Sequence, residues 1–137
     1  METKYKSEIE AKASLKNIRM SANKVRRVSD RIKGCSYEQA LVLLEFMPYK
    51  ACYSILQLVL SAAANVNRNS NVQLSKSSLF IGEAWVDGAT RLKRFQPRAQ
   101  GRGYPIRKPG CHVTIKSIFK VSENKENKIV DINKLIN

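Results

Sequence analysis

The spacing of apolar residues changes along the chain and divides it into a mostly helical half and a β half. From Ala11 to Ile18 apolar and polar residues alternate, with Ala11, Ala13 and Leu15 on one side and Lys12, Ser14 and Lys16 on the other. A period of two predicts a half-buried strand. Val25, Val28 and Ile32 then recur at spacings of three and four, which predicts a helix with one narrow apolar stripe. Ser21 stands at the N-cap position of that helix and Gly34 at its C-terminal cap, with Lys33 suited to the negative end of the dipole. Ser36 and Gln39 have capping-box spacing for a second helix. It runs through Ala40, Leu41, Leu43 and Leu44 to Met47, and Pro48 stops it. A third helix is predicted from about Tyr49 to Asn67. Lys50 is its only charge between Phe46 and Asn67, so the expectation is a helix enclosed on most sides at the centre of the core. The polar cluster Asn65, Asn67, Asn69, Ser70 and Asn71 ends it in a loop.

Beyond Leu79 the period returns to two. Leu79, Phe80, Ile81, Ala84, Trp85 and Val86 read as a strand in which Gly82 marks a bulge. His112 to Phe119 read as another, with Val113, Ile115 and Ser117 on one face.

Charge adds what periodicity leaves out. The 137 residues carry 25 Lys and Arg against 11 Asp and Glu, a formal net charge of +14. Such a surface repels itself unless something anionic covers part of it, which favours a nucleic acid or an anionic surface as partner. The charge is unevenly placed. From Gly88 to Lys120 there are nine cations (Arg91, Lys93, Arg94, Arg98, Arg102, Arg107, Lys108, Lys116 and Lys120) and no acid. Arg91 to Gly110 has too few apolar residues for a core of its own, and Pro97, Pro105 and Pro109 prevent continuous helix. Bracketed by two strands, it is expected to run out and back as a ribbon of ~10–11 residues per arm, roughly 35 Å long. The turn is expected near Arg98 to Gly103, where Gly101 and Gly103 allow positive φ.

A two-stranded ribbon is marginal in water, and this one also repels itself. A dense array of phosphates resolves both problems, because each guanidinium can donate a forked pair of hydrogen bonds to one phosphate. Phe95 and Tyr104 either stack on unpaired bases or pack across the ribbon. Lys24, Arg26, Arg27, Arg31 and Lys33 on the first helix, against the single acid Asp30, offer a second RNA-contacting surface.

Other classes of function find less support. Cys35, Cys52 and Cys111 are odd in number and widely spaced, a poor disulfide framework. The only histidine, His112, adjoins Cys111 without chelating spacing, so no metal is expected. Nor does His112 have a nucleophile pattern near it, so no catalytic residue is assigned and no enzyme is expected. Gly101-Arg102-Gly103 lacks the third glycine of a nucleotide loop, and Pro105 and Pro109 block the helix such a loop needs. No uninterrupted apolar run reaches ~18 residues, and the start of the chain shows neither a secretory pattern nor, given Glu2, Glu8 and Glu10, a transit-peptide pattern. A groove-reading regulator would need a basic partner helix, whereas Ser36 to Met47 holds Glu38 and Glu45 and no cation. A membrane-surface protein would need its apolar face exposed opposite the cations.

Three blocks, in order and spacing, resemble the large-subunit ribosomal protein L-twenty-two family, in its bacterial or plastid form. They are Met20-Ser21-Ala22-Asn23-Lys24-Val25-Arg26, Ser61-Ala62-Ala63-Ala64-Asn65, and Leu92-Lys93-Arg94-Phe95-Gln96-Pro97-Arg98-Ala99-Gln100-Gly101-Arg102-Gly103. The resemblance covers roughly Ala13 to Phe119, and Met47-Pro48-Tyr49-Lys50 with the Asn-, Lys- and Ile-rich tail favours the plastid form. It implies one α+β domain: a compact body of three helices packed on a small antiparallel sheet (about 11–88 and 111–120) and a long protruding β-hairpin (about 88–110). Residues 121–137 form an extension beyond the usual end of the family. It also implies a structural, non-catalytic role without cofactor or metal. The chain would bind large-subunit ribosomal RNA early in assembly, beside other large-subunit proteins and without self-association or membrane contact. The location implied is the plastid stroma, with a bacterial cytoplasm as the alternative.

The RNA-binding residues so implied are Arg19, Lys24, Arg26, Arg27, Arg31, Arg91, Lys93, Arg94, Arg98, Arg102, Arg107 and Lys108. The implied hairpin tip, which would line the exit tunnel beside the nascent polypeptide, comprises Leu92, Lys93, Arg94, Arg98, Ala99, Gln100, Gly101, Arg102 and Gly103. Gln100 stands where common bacterial members of the family carry Lys, which lowers the charge of the tunnel wall.

Overall fold

The computed structural model describes residues 9–69 and 76–119. The tail from 121 and the last part of the Asn-rich loop lie outside the described residues. Eight elements follow in order. They are β1 (Ile9–Ile18), α1 (Ala22–Ile32), α2 (Tyr37–Phe46), α3 (Ala51–Asn69), a 3-10 turn (Lys76–Ser78), β2 (Leu79–Pro97), a second 3-10 turn (Ala99–Gly101) and β3 (Gly103–Phe119). The α+β expectation holds: three helices pack on a three-stranded antiparallel sheet of order β1-β3-β2.

The inward-facing residues are those the periodicity selected, except Leu15, which is exposed at the end of β1 where the strand bulges away from β3. Val25, Val28 and Ile32 of α1 are all buried, as are Ala11 and Ala13 of β1 and Val113, Ile115 and Ser117 of β3. In β2 the buried set is Leu79 and Ile81, then Ala84 and Val86. That switch of parity requires one extra residue, because side chains alternate strictly across a strand. The pairing register shifts between Ile81 and Glu83, which makes Gly82 the bulge the sequence predicts.

Two further bulges were not legible in the sequence. In β1, Leu15 pairs with Val113 and Ile18 with Cys111, so two residues oppose His112. Asn17 turns left-handed there (φ 57°), and its N–H donates to His112 Nδ1 at 3.0 Å. In β2, Ala89 pairs with Gly110 and Leu92 with Lys108, so Thr90 and Arg91 oppose Pro109. Proline has no N–H for the ladder and fits where pairing lapses.

The helix caps divide between expectation and correction. The Ser36–Gln39 capping box forms in both directions, at 3.4 Å each way. Ser21 is the N-cap of α1 by position, but its side chain makes no capping hydrogen bond. Gly34 takes the expected positive φ (77°), yet its N–H donates to the Ile81 carbonyl at 2.8 Å rather than back to α1. The return bond, Cys35 carbonyl accepting from Ile81 N–H at 3.0 Å, ties this turn to β2.

One expectation about the core is overturned. α3 is not enclosed on most sides. Ala51, Cys52, Ile55, Leu58, Val59, Ala62, Ala63 and Val66 are buried, but Tyr53 is 73% exposed and Leu60 39%. The helix packs across β1 and β3 on one side and touches α1 and α2 on others, which leaves a strip open. Lack of charge showed that α3 could be buried, not that partners exist on every side.

Within α1, Ser29 is buried (1% exposed) and its hydroxyl has no hydrogen-bond partner among the described residues. Ser29→Ala is expected to raise stability by about 1 kcal/mol, since it removes an unsatisfied buried hydroxyl and inserts a better helix former. Chemical denaturation of the two proteins checks this. A lower midpoint in the variant would show that the hydroxyl does useful work in the fold.

Candidate nucleic-acid interface

The ribbon begins where β1 stops. Ile18 is the last β1 residue paired to β3, opposite Cys111. Beyond it, Ala89–Pro97 and Gly103–Gly110 run on as two strands alone, about nine residues per arm or roughly 30 Å. Gly110 is buried at this root, and an added Cβ would come within 3.1 Å of the Thr90 carbonyl. A side chain there would have to push that carbonyl aside by a few tenths of an ångström.

Proline placement in the ribbon follows from hydrogen-bond alternation. The Arg98 N–H donates to the Arg102 carbonyl at 2.8 Å, which makes that pair a bonded one. Bonded and non-bonded pairs alternate in antiparallel ladders. The Pro97–Gly103 and Phe95–Pro105 pairs are therefore non-bonded, so each missing N–H would have pointed outward.

Pairing also sorts the side chains onto two faces. Leu92, Arg94 and Gln96 share one with Lys108, Ile106 and Tyr104; Lys93, Phe95 and Pro97 share the other with Arg107, Pro105 and Gly103. Both faces carry cations, and Lys93 stands directly opposite Arg107. Like charges in that relation repel. The ribbon holds no acid to offset that repulsion.

Phe95 packs across the ribbon. A Cβ built on Gly103 would run into the Phe95 ring, so the ring lies over the space that glycine leaves. Its outer side remains open, for Phe95 is 71% exposed. The Arg98 guanidinium lies 6.0 Å from the Tyr104 ring centre. At the turn, Gln100 and Gly101 have positive φ (63° and 69°), whereas Gly103 does not. Gly103 thus provides space for the Phe95 ring rather than backbone freedom. Gly103→Ala is expected to displace the Phe95 ring and disorder the turn while leaving body stability within about 0.5 kcal/mol. NMR would show loss of ring-current shifts at residue 103; retention of those shifts would contradict the packing.

The structure separates the residues grouped as a tip. Arg98, Ala99, Gln100, Gly101 and Arg102 form the turn itself, and Gly103 starts the return strand. Leu92, Lys93 and Arg94 lie down the shaft, paired with Lys108, Arg107 and Ile106. Six residues of strand put Leu92 roughly 20 Å from Arg98.

On the body, Arg19, Lys24, Arg27 and Arg31 are exposed. Arg26 has an internal role as well. Its Nε and Nη2 donate to the Val86 carbonyl at 3.1 and 3.0 Å, and its Nη1 donates to Asn23 Oδ1 at 2.9 Å. This pins α1 to β2. Lys33 pairs with Asp30 at 2.6 Å. Burial pushes the Cys111 thiol above its ordinary pKa, partly countered by Arg26, so the thiol stays protonated and poorly reactive near neutral pH. Among the described residues there is no cluster of His, Cys, Asp or Glu that could hold a metal ion. No described helix is long and apolar enough to cross a membrane.

Folding brings the cations around α1 to the root of the hairpin. Arg19, Lys24 and Arg27 from around α1 line one cleft with Lys50 and Tyr49, from just before α3, and Pro109, from the hairpin root. Sequence reading did not select Lys50 or Tyr49, since neither lies in a charge cluster.

The pattern of a packed body with an acid-free arm meets a decisive comparison. The family model for ribosomal protein L22p/L17e matches residues 13–117. The chain belongs to the L22 family of ribosomal proteins. Within it, the chain is 63% identical over 120 residues to the large ribosomal subunit protein uL22c of Angiopteris evecta, covering 88% of this chain and 99% of the relative. It is 66% identical over 110 residues to the uL22c protein of Physcomitrium patens, covering 80% and 92%. These relatives mark the chain as a plastid-type L22 protein, and the L22 family is structural rather than enzymatic.

Proposed function

We propose that the chain anchors in the large ribosomal subunit by threading its ribbon through folded ribosomal RNA, with the body seated on the RNA surface by α1. As an L22 protein it has a structural role in the large subunit, with ribosomal RNA and other ribosomal proteins as partners. The single observation that carries the finer reading is the roughly 30 Å two-stranded ribbon with cations on both faces and no acid. Surface-bound ribbons need cations on one face; one with cations on both is suited to phosphates all round. Contacts to phosphate fix position without reading bases, which suits a structural element.

In this reading the turn at Arg98–Arg102 is the deepest part, bordering the space where the nascent polypeptide passes. Gln100 there, left-handed and uncharged, presents an amide rather than a cation to that space. Engagement of several RNA segments by ribbon and body makes the chain an early assembly component, acting as a single copy. The plastid is its place of action, in keeping with its uL22c relatives.

The test is sedimentation of a tagged chain expressed in a plastid, with and without residues 91–107. The intact chain is expected to run with the large subunit through a high-salt wash, and the shortened one to wash off. Co-sedimentation of the shortened chain at equal salt resistance would overturn the threading.

A further inference from the structure

The cleft at the hairpin root has a volume of about 550 Å³, within the ~300–1,000 Å³ typical of pockets that enclose a small ligand. Arg19, Lys24, Arg27 and Lys50 line it, and no acid does. Tyr49 and Pro109 supply flat apolar surface in the same cleft. Cations alone would suit a phosphate, and apolar walls alone would suit a lipid or a side chain. Both together suit a ligand with an anionic end and a planar end.

Three features refine that match. Tyr49 is 47% exposed, yet its backbone is fixed by its carbonyl accepting from Cys52 N–H at 3.0 Å at the entry to α3. Its backbone is thus tied to the first turn of α3, and the ring stays half open to a stacking partner. Ser21, the N-cap of α1, also lines the cleft, and its side chain makes no capping bond. α1 and α3 both begin at this cleft, at Ala22 and Ala51, so two positive dipole ends add to the four cations. A neighbouring cleft of about 410 Å³ shares Arg27 and Tyr49 and adds Arg31, which extends the basic path along the body.

We propose that this cleft takes a single unstacked nucleotide of the ribosomal RNA, its base against Tyr49 and Pro109 and its phosphate among Lys24, Lys50 and the Ser21 hydroxyl. The proposal rests on the ribosomal-RNA reading above and adds a base-stacking site on the body, away from the ribbon. Single-stranded bases stack well on aromatic rings whatever their identity, so Tyr49 would hold a splayed nucleotide with little sequence preference.

The test uses the full chain and a transcript of plastid large-subunit ribosomal RNA. Short-wavelength ultraviolet irradiation, digestion and mass spectrometry are expected to find a nucleotide adduct on the peptide containing Tyr49. Tyr49→Ala should weaken binding about tenfold, and Tyr49→Phe should stay within about twofold, because stacking needs the ring alone. Lys50→Gln should lower the salt slope by about one. Equal losses in the Ala and Phe variants would place the effect in the hydroxyl and overturn the stacking. Unchanged affinity in Tyr49→Ala, with adducts confined to the ribbon, would overturn the cleft and leave the ribosomal-RNA reading intact. Failure of the unaltered chain to bind the transcript would remove both. A thermal melt matching the unaltered chain shows that Tyr49→Ala remains folded, and the adduct on the unaltered chain is independent of any variant.

Discussion

Replacing Lys93, Arg94, Arg98, Arg102, Arg107 and Lys108 together with glutamine is expected to abolish most RNA affinity at moderate salt without unfolding the body. The magnitude follows from counterion release. Each phosphate neutralised contributes about 0.9 to the slope of log affinity against log salt. Six such contacts make a slope near five, so between about 50 and 200 mM salt the unaltered chain loses roughly a thousandfold in affinity. The glutamine variant should begin weaker and keep only the shallower slope of the remaining cations around α1, Lys50 and Arg91. Its body should melt no lower than before, because these six side chains are exposed and outside the buried core. The direct Lys93–Arg107 repulsion is removed as well. Filter binding across a salt series, with a thermal melt of each free protein, measures both halves. An unchanged slope would assign RNA binding to the body alone, and a collapsed melt would contradict the division of arm from core.

The second large effect concerns stability. Ile115→Ala is expected to cost about 3–5 kcal/mol, near the top of the range for truncating a buried isoleucine. Ile115 is fully buried in the central strand, and its cross-strand partners are Ala13 on β1 and Ala84 on β2. With alanine on either side, neither cross-strand partner is long enough to move into the vacated volume. The cavity term thus adds to the lost transfer energy instead of being relieved. Against a total of ~5–15 kcal/mol for a typical domain, such a loss brings the body close to unfolding. Calorimetry or urea denaturation of the free protein gives the value directly. A loss below about 1.5 kcal/mol would mean that the helices above the sheet settle into the space. Ribosomal RNA should mask part of the defect by mass action, since it binds only the folded form.

These two variants act on separate parts of the molecule, and the parts were unequally legible beforehand. The arm could be read from composition, because an acid-free stretch with three prolines between two apolar strands has few other structures open to it. The Gly82 bulge was legible because an isolated glycine inside a strand pattern marks one. The Thr90–Arg91 bulge was not legible, because without its partner strand the register of β2 is undetermined. Residues that act through shape were hidden. Gly103 looked like a turn glycine, while the turn in fact bends at Gln100 and Gly101, and Gly103 makes room for Phe95. Arg26 looked like one more exposed cation on α1, while its donors reach the Val86 carbonyl, 60 residues away in the chain.

By itself, then, the sequence determined the elements, the inward face of most of them, and the existence and charge of the arm. Each of these depends on residues close together in the chain, where periodicity, capping and charge density act locally. Only the tertiary structure decided that β3 lies between β1 and β2, that one strip of α3 stays open, and that Tyr49 and Lys50 meet Lys24 and Pro109 in one cleft. Those outcomes depend on which apolar surfaces find each other. Hydrophobic attraction is non-directional, so a pattern of buried positions states that a face will be covered without stating by what.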